Sequence, residues 1–547
     1  MEVLNGKGVC DGIAIGRISF LKQHRAVVQR TRVEDPAAEQ ARYEEARNRA
    51  AQELSQLYRK ALKEVGETNA DIFDIHRMML EDEDYNESVV SLIHTQRVNA
   101  EYAVAVTSDN FADMFSSMDS EYMRARAQDV RDVSNRLIRL LSGGAGDGVP
   151  GVAAEAESEG RILCADDLTP SETVQLDKTH VLAFVTRHGS ANSHTAILAR
   201  TMGIPAVVGV KELTDAWDGQ MAAVDGSQGK VYMEPDRETT TALLVRQAEA
   251  EKYRARLRAL KGKENRTLDG RTVQLYANIG APEDIGAALF NDAGGIGLFR
   301  SEFLYLRSDD YPSELTQYAA YRKILESMAG KKVIIRTLDI GADKQIGYFG
   351  LGKEENPALG YRAIRICLTR PDIFKTQLRA LYRASVCGNL AIMFPMITSL
   401  KEVLQIREII AQVKAELTAE GVRYADHVEI GIMIETPAAA LISDRLAPEV
   451  DFFSVGTNDL IQYTLACDRQ NPLLEPFCDT HHEAILRLIG MATEAAHRHG
   501  KWIGICGELG SDTSLTEQWL RMGIDELSVS PSQILRVREK IRSITVG

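Results

Sequence analysis

The sequence contains no apolar run approaching the ~20 residues that a helix needs to cross a bilayer, so no membrane-spanning helix and no membrane insertion are expected. The opening segment, residues 1–21, carries a short apolar stretch with no basic leader before it, which predicts no secretory signal. Cysteine is sparse, with 7 residues in 547 and no CxxC spacing. That usage argues against a disulfide framework and a structural zinc site, and it favours a reducing, cytoplasmic compartment.

Basic side chains are also fewer than acidic ones. There are 64 basic and 78 acidic side chains, for a formal net charge of −14. This balance argues against nucleic acid or an anionic membrane as a partner. A highly charged anionic substrate would have to be captured by a local cluster of arginines, because the field of the whole molecule opposes it.

At 547 residues the chain is too long for one hydrophobic core, and changes in composition divide it into several regions. Residues 1–20 and 145–232 are rich in Gly, Ile and Val, which predicts an α/β domain built from two segments. Residues 21–144 are dense in Ala, Glu, Arg and Leu with helical spacing, which predicts an inserted helical subdomain. Residues 233–263 form a predicted helical linker to the last region, residues 264–547.

The last region alternates eight short β-rich runs with helix-like stretches. The runs are Val273–Ile279, Gly297–Phe303, Val333–Ile340, Leu390–Ile397, Val428–Glu435, Phe452–Thr457, Trp502–Cys506 and Glu526–Ser530. Eight such units in about 290 residues predict a (β/α)₈ barrel, whose reacting groups lie at the carboxyl ends of the strands. Arg300 and Arg336 lie within the second and third runs, Glu435 and Cys506 end the fifth and seventh, and Asp459 follows the sixth. Polar residues also occur in the loops of ordinary barrels, so this placement alone does not establish an active site.

A histidine lies at the start of a predicted helix in the α/β region. Ser193 is a candidate N-cap, His194 falls in the first turn, and Gly203 and Pro205 end the helix. The free N–H groups and positive dipole end at this position favour a neutral, nucleophilic imidazole and stabilise a phosphoryl group attached to it. A lone histidine at a helix start is more often structural, so the neighbouring residues have to decide between the two interpretations.

Those neighbours carry a long pattern. It reads Thr186-x-x-Gly189-x-x-x-Ser193-His194-Thr195-Ala196-Ile197-x-Ala199-Arg200, followed by Gly203-Ile204-Pro205-Ala206-Val207-Val208-Gly209. It resembles the phosphohistidine signature of phosphoenolpyruvate-utilising enzymes, and the resemblance implies that His194 accepts the phosphoryl group. The loop departs from the usual pattern, with Ser190 in place of a common Gly, Ala191 in place of Arg and Asn192 in place of Thr. His188 is also unusual there, and we interpret it as a loop side chain.

The barrel region offers groups suited to phosphoenolpyruvate, which carries both a carboxylate and a phosphate. Such an anion calls for several guanidinium groups and a divalent cation. Glu435 ends the fifth predicted strand and Asp459 follows the sixth, so the two carboxylates share one rim, as in a typical magnesium site. Taken singly, either acid is as well explained by a helix N-cap or an ion pair.

The resemblance to the Enzyme I family of the sugar phosphotransferase system runs from the Gly-Ile-Ala-Ile-Gly opening to the C-terminus. Its most specific segment is Asp451-Phe452-Phe453-Ser454-Val455-Gly456-Thr457-Asn458-Asp459-Leu460-Ile461-Gln462-Tyr463-Thr464. The resemblance implies Mg²⁺ on Glu435 and Asp459, and Cys506 as the proton donor to the enolate. It implies substrate binding by Arg300, Arg336, Asn458 and Arg469, with Arg362 and Lys344 assisting. Without the resemblance, a cysteine in a strand is most often a small core residue.

The resemblance also implies two protein partners. The helical insertion would bind the phosphocarrier protein HPr, with the segment Asp74–Asp82 facing it, and the barrel would form a homodimer. The α/β domain would swivel between the barrel and the carrier. From the residues alone, Asp74–Asp82 is an amphipathic helix with one solvated face.

Two other functions remain open at this point. A pyruvate–phosphate dikinase or phosphoenolpyruvate synthase would share the histidine domain and the barrel, but it needs an ATP-binding domain. This chain has no Gly-rich nucleotide loop. A regulatory phosphoprotein could instead sense phosphoenolpyruvate without turnover, although no catalytic group is missing.

Overall fold

A computed structural model describes residues 1–21, 28–64, 67–117, 121–143, 160–168, 180–189, 193–344, 346–469 and 471–547. The chain divides into two compact units, Met1–Tyr253 and Arg254–Gly547. The first unit combines an eight-stranded mixed sheet with a group of long helices, and the second is a closed barrel. The predicted fold class, an α/β domain with a helical insertion followed by a (β/α)₈ barrel, is confirmed. None of the described helices has both the length and the low polarity required to cross a membrane.

The sheet of the first unit is formed by strands from both ends of the helical segment. Its strands are β1 Glu2–Asn5, β2 Lys7–Cys10, β3 Ile13–Phe20, β4 Arg161–Ala165, β5 Val181–Thr186, β6 Ala206–Val208, β7 Met221–Asp225 and β8 Lys230–Met233. Their order is β1-β8-β7-β3-β4-β5-β6-β2. The neighbours β3 and β4 are parallel, with Ile18 opposite Ile162. The helical segment is therefore an insertion between two adjacent strands of one sheet.

Five helices make up the described part of the insertion. They are α1 Pro36–Glu64, α2 Glu67–Glu81, α3 Glu83–Gln96, α4 Ala100–Ser116 and α5 Glu121–Leu141. Their apolar faces bury a core of their own, which includes Tyr43, Phe73 and Leu137. His76 is fully buried in α2, with Nε2 3.3 Å from Asp129 and Nδ1 3.7 Å from Asp132. Its imidazole belongs to the interior of the bundle.

Two further helices belong to the α/β part and to the segment that follows it. Helix α6 spans His194–Met202, and α7 spans Arg237–Arg258, within the predicted helical linker. Helix α7 is mostly exposed, and Leu243 is its one buried residue among those described.

The second unit is a closed barrel of eight parallel strands. They are β9 Gln274–Ile279, β10 Ile296–Arg300, β11 Lys332–Arg336, β12 Asn389–Phe394, β13 Glu429–Ile434, β14 Phe452–Val455, β15 Trp502–Ile505 and β16 Glu526–Val529. Each pairs with the next, and β16 closes onto β9 with Glu526 opposite Gln274. All eight predicted strands are present. Most end earlier than predicted, because residues such as Thr337–Ile340 leave the barrel wall and turn into the loops of the site.

Helices surround the barrel. They are α8 Ile285–Phe290, α9 Phe303–Leu306, α10 Glu314–Ser327, α11 Ile364–Thr369, α12 Pro371–Ala384, α13 Leu400–Ala419, α14 Pro437–Leu441, α15 Ser443–Leu446, α16 Thr457–Leu465, α17 Glu483–Arg498, α18 Thr516–Met522 and α19 Ile534–Ile541. One continuous apolar core joins them to the outer faces of the strands. The carboxyl ends of the strands are thereby held on a rigid frame.

A buried acid lies at the opposite, amino-terminal end of the barrel. Glu526 is 1% exposed and accepts a hydrogen bond from Ser528, while Lys332 is paired with Glu429 at 2.7 Å. Burial raises the pKa of the Glu526 carboxyl to about 8, against the opposing effects of Ser528 and Lys332. Its side chain occupies space that Gly504 leaves open, since a Cβ at that position would collide with the Glu526 carboxylate.

Glu526→Gln should make the protein less sensitive to rising pH. The native carboxyl keeps its proton to about pH 8, whereas in the unfolded chain it ionises near ~4.5. The folded wild type therefore loses stability as pH rises between these values, and the neutral glutamine does not. We subtract the unfolding free energy of the wild type from that of Glu526→Gln. This difference should increase by roughly 1–3 kcal/mol between pH 6 and pH 8.5.

Denaturant unfolding of the full chain, followed by tryptophan fluorescence, measures this difference because Trp502 and Trp519 lie in the barrel unit. A difference between the two proteins that stays constant over this pH range would contradict the raised pKa.

Candidate active site

His194 is the first residue of helix α6, as predicted. Ser193 is the N-cap, and its side chain accepts a hydrogen bond from the backbone N–H of Ala196 at 3.4 Å. The helix ends at Gly203, which has a φ of 66° and donates its N–H to Arg200. The histidine is therefore placed where helix N–H groups are unpaired within the helix. Residues 190–192 and the side chain of His194 lie outside the described part of the chain.

Buried hydroxyls hold the segments around this helix start. Thr186, at the end of β5, donates its hydroxyl to the carbonyl of His188 at 2.6 Å. Thr195 is fully buried and donates to Asp167, which follows β4, at 3.3 Å. Gly189 has a φ of 110°, a conformation that suits a residue without Cβ. The contact of Thr195 ties the first turn of α6 to the segment that follows β4. His188 itself is exposed.

In the barrel unit, two arginines end adjacent strands. Arg300 and Arg336 are the last residues of β10 and β11, and they lie opposite each other in register. Arg336 is buried, with Nη2 3.1 Å from Glu302 and Nη1 3.0 Å from Asp339. Ser301 donates its hydroxyl to the carbonyl of Arg336 at 2.7 Å. The guanidinium of Arg336 is thus fixed in place by two carboxylates on the rim.

Asp339 connects Arg336 to two further cations of the predicted site. Its carboxylate accepts a hydrogen bond from Arg362 at 2.8 Å, and its backbone carbonyl accepts one from Lys344 Nζ at 2.6 Å. Burial alone would raise the pKa of Asp339, but Arg336, Arg362 and Lys344 outweigh that effect and hold it far below its usual range. The structure therefore brings three predicted substrate-binding residues into contact with Asp339, two at its carboxylate and one at its backbone carbonyl.

The two predicted metal-binding carboxylates share this rim. Glu435 directly follows β13, and Asp459 lies in the first turn of α16, after β14. Glu435 is 1% exposed and accepts the backbone N–H of Met396 at 2.6 Å. Burial, and then the negative charges of Asp459 and Asp339, raise the pKa of Glu435 to about 8. Gly456 leaves room for this carboxylate, since a Cβ there would lie 2.6 Å from Glu435 Oε2.

Asn458 and Arg469 complete the predicted set from neighbouring positions. The Asn458 side chain donates to Glu508 Oε1 at 3.1 Å and accepts the Glu508 backbone N–H at 3.2 Å. Arg469 is half exposed, and its guanidinium lies 3.9 Å from Asp459. Arg362 also approaches Asp459, at 3.7 Å. Asp459 therefore links these two arginines to the side of the rim that carries Glu435.

Cys506 directly follows β15 and is 3% exposed. Its thiol donates to the carbonyl of Val455 at 3.5 Å, and it packs with apolar side chains inside the barrel, among them Met433. Burial, followed by the charges of Glu435 and Glu526, raises the pKa of the thiol to about 12. The thiol therefore keeps its proton across the physiological pH range.

Sequence reasoning missed the role of Glu302 and gave Asp339 no function. Glu302 Oε1 accepts hydrogen bonds from both Arg336 at 3.1 Å and the backbone N–H of Asp339 at 3.0 Å. Tyr463 was also missed, and its hydroxyl accepts a hydrogen bond from Arg362 at 3.3 Å. In the sequence, Glu302 and Asp339 follow within one turn's length of the predicted Arg300 and Arg336. Tyr463 lies in the segment Asp451–Thr464 that also carries Asn458 and Asp459. This closeness in sequence was the available signal.

These groups can bind an anion that carries several negative charges, and the facing carboxylates can take part in holding a cation. Among the described residues, no three His, Cys, Asp or Glu side chains are arranged as a metal site of their own. The Glu435–Asp459 pair would thus need further oxygen ligands, from a substrate or from water.

Family models match nearly the whole chain. The PEP-binding domain of the PEP-utilising enzymes matches residues 254–546. Their N-terminal domain matches residues 5–126, and their mobile domain matches residues 157–229. The barrel and the His194 region therefore correspond to separate modules of the same family.

Curated relatives match over the full length. A phosphoenolpyruvate-protein phosphotransferase of Bacillus sp. (strain S) is 44% identical over 544 residues, covering 99% of this chain and 93% of the relative. Proteins of the same name from Bacillus subtilis and Enterococcus faecalis are 43% and 44% identical, covering 100% and 99% of this chain and 95% and 94% of their own lengths. With this similarity over its whole length, the chain belongs to the PEP-utilising enzyme family.

Proposed function

We propose that this protein is a phosphoenolpyruvate-protein phosphotransferase, the Enzyme I of a sugar phosphotransferase system. It transfers the phosphoryl group of phosphoenolpyruvate to His194, releases pyruvate and passes the group to a histidine of the phosphocarrier protein HPr. The observation that carries this proposal is the full-length similarity to relatives of that name, together with the cationic rim of the barrel.

The substrate binds at the rim through its two anionic groups. Arg336 is the buried cation of the site, and Arg300 lies opposite it in register on the neighbouring strand. We assign substrate binding to Arg300, Arg336, Asn458 and Arg469, with help from Arg362 and Lys344. Because Glu302 and Asp339 fix the guanidinium of Arg336, little conformational entropy is lost when substrate binds.

Glu435 and Asp459 would be the residues that hold Mg²⁺. Both offer carboxylate oxygens, the ligands that this ion prefers. The charge of Asp459 contributes to the raised pKa of Glu435, and a divalent cation between the two acids would relieve this repulsion. When bound, the ion supplies positive charge that lowers repulsion between the phosphate and its surroundings.

The transfer needs a nucleophile and a proton donor. The neutral imidazole of His194 attacks phosphorus, the bond between phosphorus and the enol oxygen breaks, and the enolate of pyruvate leaves. The thiol of Cys506 then gives its proton to the methylene carbon, and water restores the thiol. Since the pKa of Cys506 is raised to about 12, the donor is fully protonated when the enolate forms.

The second transfer involves the helical insertion, residues 21–144, which we propose as the HPr-binding region. Of the predicted carrier-facing stretch, the residues from Asp74 to Glu81 lie in helix α2, and Asp82 follows as the N-cap of α3. His194 and the substrate rim belong to different compact units, so the α/β domain, residues 1–20 and 145–232, must reach the barrel and the carrier in turn. The match of residues 157–229 to a mobile domain supports this swivelling.

We also propose that the protein is cytoplasmic and that its barrel, residues 264–547, forms a homodimer beyond the linker, residues 233–263. The 7 cysteines of the sequence include no CxxC pair, a usage typical of a reducing compartment. The barrel exposes large apolar side chains, including Leu359, Leu441 and Leu473, which an interface would cover.

The function is tested by supplying labelled phosphoenolpyruvate, Mg²⁺ and HPr, and by following pyruvate release and label on HPr. We expect one pyruvate for each phosphoryl group transferred. Labelling of His194 from ATP in place of phosphoenolpyruvate would support a dikinase or synthase. Binding of phosphoenolpyruvate without pyruvate release would support a regulatory sensor.

Cys506→Ala should slow pyruvate formation by about 10²-fold, since loss of a positioned general acid has effects of this size. Cys387→Ala, which removes a partly exposed thiol outside the site, serves as the control and should retain the wild-type rate. Steady-state pyruvate release in the presence of HPr measures both. An unchanged rate in Cys506→Ala would show that another group protonates the enolate.

A further inference from the structure

A cavity of about 380 Å³ lies at the amino-terminal end of the barrel, opposite the substrate rim. Four of its lining residues are the first residues of their strands, namely Gln274 of β9, Lys332 of β11, Trp502 of β15 and Glu526 of β16. This volume falls within the range of small-molecule sites, roughly 300–1,000 Å³. The phosphoryl transfer proposed above uses none of these residues, so the cavity has no assigned role in it.

The first polar group of the cavity is the carboxyl of Glu526. It is 1% exposed and accepts a hydrogen bond from the hydroxyl of Ser528. Two glycines leave room for this pair inside the barrel. A Cβ at Gly297 would collide with the Ser528 hydroxyl, and one at Gly504 would collide with the Glu526 carboxylate. The local backbone is thus shaped to accommodate an acid at this position.

The second polar group is the phenol of Tyr276, in the middle of β9. Tyr276 lies opposite Ser528 in register and is 7% exposed. Its ring packs against the backbone at Gly295, where a Cβ would lie 2.9 Å from Tyr276 Cε1. The hydroxyl forms no hydrogen bond with any residue that the structure describes. Since buried polar groups nearly always have a partner, this hydroxyl is free to bind a ligand in the cavity that it lines.

A flat aromatic wall is provided by Trp502. Its indole stacks on the ring of Phe452, with the centroids 4.4 Å apart and the planes within 5°. Its Nε1 donates to Glu429 Oε2 at 3.2 Å, and Lys332 Nζ lies 5.1 Å from its ring centroid. Glu429 in turn pairs with Lys332 at 2.7 Å, which neutralises that ammonium. The indole is therefore held in place, and aromatic faces of this kind attract cations.

The charges of the lining leave one acid unpaired. Lys332 is neutralised by its ion pair, and Asp525 lies 2.9 Å from His497 and 4.0 Å from Arg271. Glu526 is thus the lining acid that has no cationic partner in the described part of the chain. Burial raises its pKa to about 8, and a cation placed beside the carboxyl would favour its ionised form. The cavity therefore favours a ligand that carries a positive charge.

We propose that this cavity binds a small organic cation whose N–H groups donate to Glu526 and Tyr276 and whose planar body lies against Trp502. An amidinium or a guanidinium meets these requirements, because each is planar and presents paired N–H donors to a carboxylate. The proposal is independent of the proposed function, since binding at this end of the barrel requires neither substrate nor turnover.

The test is a calorimetric titration of the full-length protein with benzamidine at pH 8.5, where the carboxyl of Glu526 can ionise. Neutral benzamide, which has nearly the same shape, is the matched probe. We expect benzamidine to bind with a Kd of about 1 mM or tighter, a reasonable affinity for a ligand of this size. Benzamide should bind at least about tenfold more weakly, because it lacks the charge.

Two variants locate the binding site. Glu526→Gln removes the negative charge and should raise the Kd for benzamidine at least about tenfold. Tyr276→Phe removes only the hydroxyl and should raise it roughly fivefold. The control is Glu517→Gln, which changes a half-exposed acid of α18 that pairs with Arg521 at 2.9 Å. This variant should bind as the wild type does, and thermal unfolding of each variant confirms that it is folded.

Three results would overturn the proposal. The first is the absence of saturable benzamidine binding up to about 10 mM, and the second is equal affinity for benzamide. The third is equal binding by Glu526→Gln and Glu517→Gln, which would place the ligand elsewhere, for example at the acids of the substrate rim. Failure of the protein to use phosphoenolpyruvate would overturn the proposed function and would leave these binding measurements unaffected.

Discussion

His194→Ala should abolish the transfer of phosphoryl groups from phosphoenolpyruvate, with a loss of at least ~10⁴-fold in turnover, because this imidazole forms the covalent intermediate. Alanine is a strong helix former and suits the first turn of α6, so the helix should persist. Binding of phosphoenolpyruvate should be little changed, since the substrate rim belongs to the barrel unit. Pyruvate release and binding of labelled substrate measure the two effects separately.

His188→Ala is the matched control. His188 lies in the same loop, is exposed and should keep at least half of the wild-type turnover. If His188→Ala lost activity as completely as His194→Ala, the nucleophile would have to be reassigned. Residual turnover of a tenth or more in His194→Ala would have the same consequence.

Arg336→Met should reduce kcat/KM for phosphoenolpyruvate by about 10²–10³-fold. The change removes a buried donor to the substrate anion, and loss of one such fixed electrostatic contact costs ~3–4 kcal/mol in the transition state. It also leaves the carboxylates of Glu302 and Asp339 facing each other without their shared cation. Arg336→Lys keeps the charge but loses the bidentate geometry of the guanidinium, so we expect an intermediate loss of kcat/KM.

The control for this variant is Arg379→Met, which removes an arginine from a surface ion-pair network with Glu314 and Glu420. Steady-state kinetics should show less than a twofold change for Arg379→Met. Thermal unfolding of each variant separates loss of binding from loss of folding. Equal kinetic losses in both variants would mean that Arg336 acts through stability alone.

Much of the fold could be predicted from the sequence because periodic patterns reflect local structure. The strand Lys332–Arg336 is almost entirely buried, so it can be recognised in the sequence as a continuous apolar run. The helix that begins at His194 is bounded by a serine cap and a terminal glycine, both local signals. The barrel followed from counting such segments.

Other features could not be predicted because they depend on contacts between distant segments. Glu302 follows Arg300 in the chain, yet its carboxylate holds Arg336 and the backbone of Asp339 from the next strand. No neighbouring residue in the sequence indicates the raised pKa of Glu526, because it arises from burial at the amino-terminal end of the closed barrel. The extent of the strand at Arg336 was overestimated because Leu338 and Ile340 continue its apolar residues, although Thr337–Ile340 lies outside the strand and forms part of the rim.

One imidazole, His194, is proposed to receive the phosphoryl group while the barrel supplies the substrate. The most direct measurement is a single-turnover incubation of the full chain with labelled phosphoenolpyruvate and Mg²⁺, without HPr, followed by peptide mapping under alkaline conditions. We predict one acid-labile, base-stable phosphoryl group per chain, located on His194, with one equivalent of pyruvate released. Label on any other residue, or pyruvate released without label on His194, would contradict this assignment.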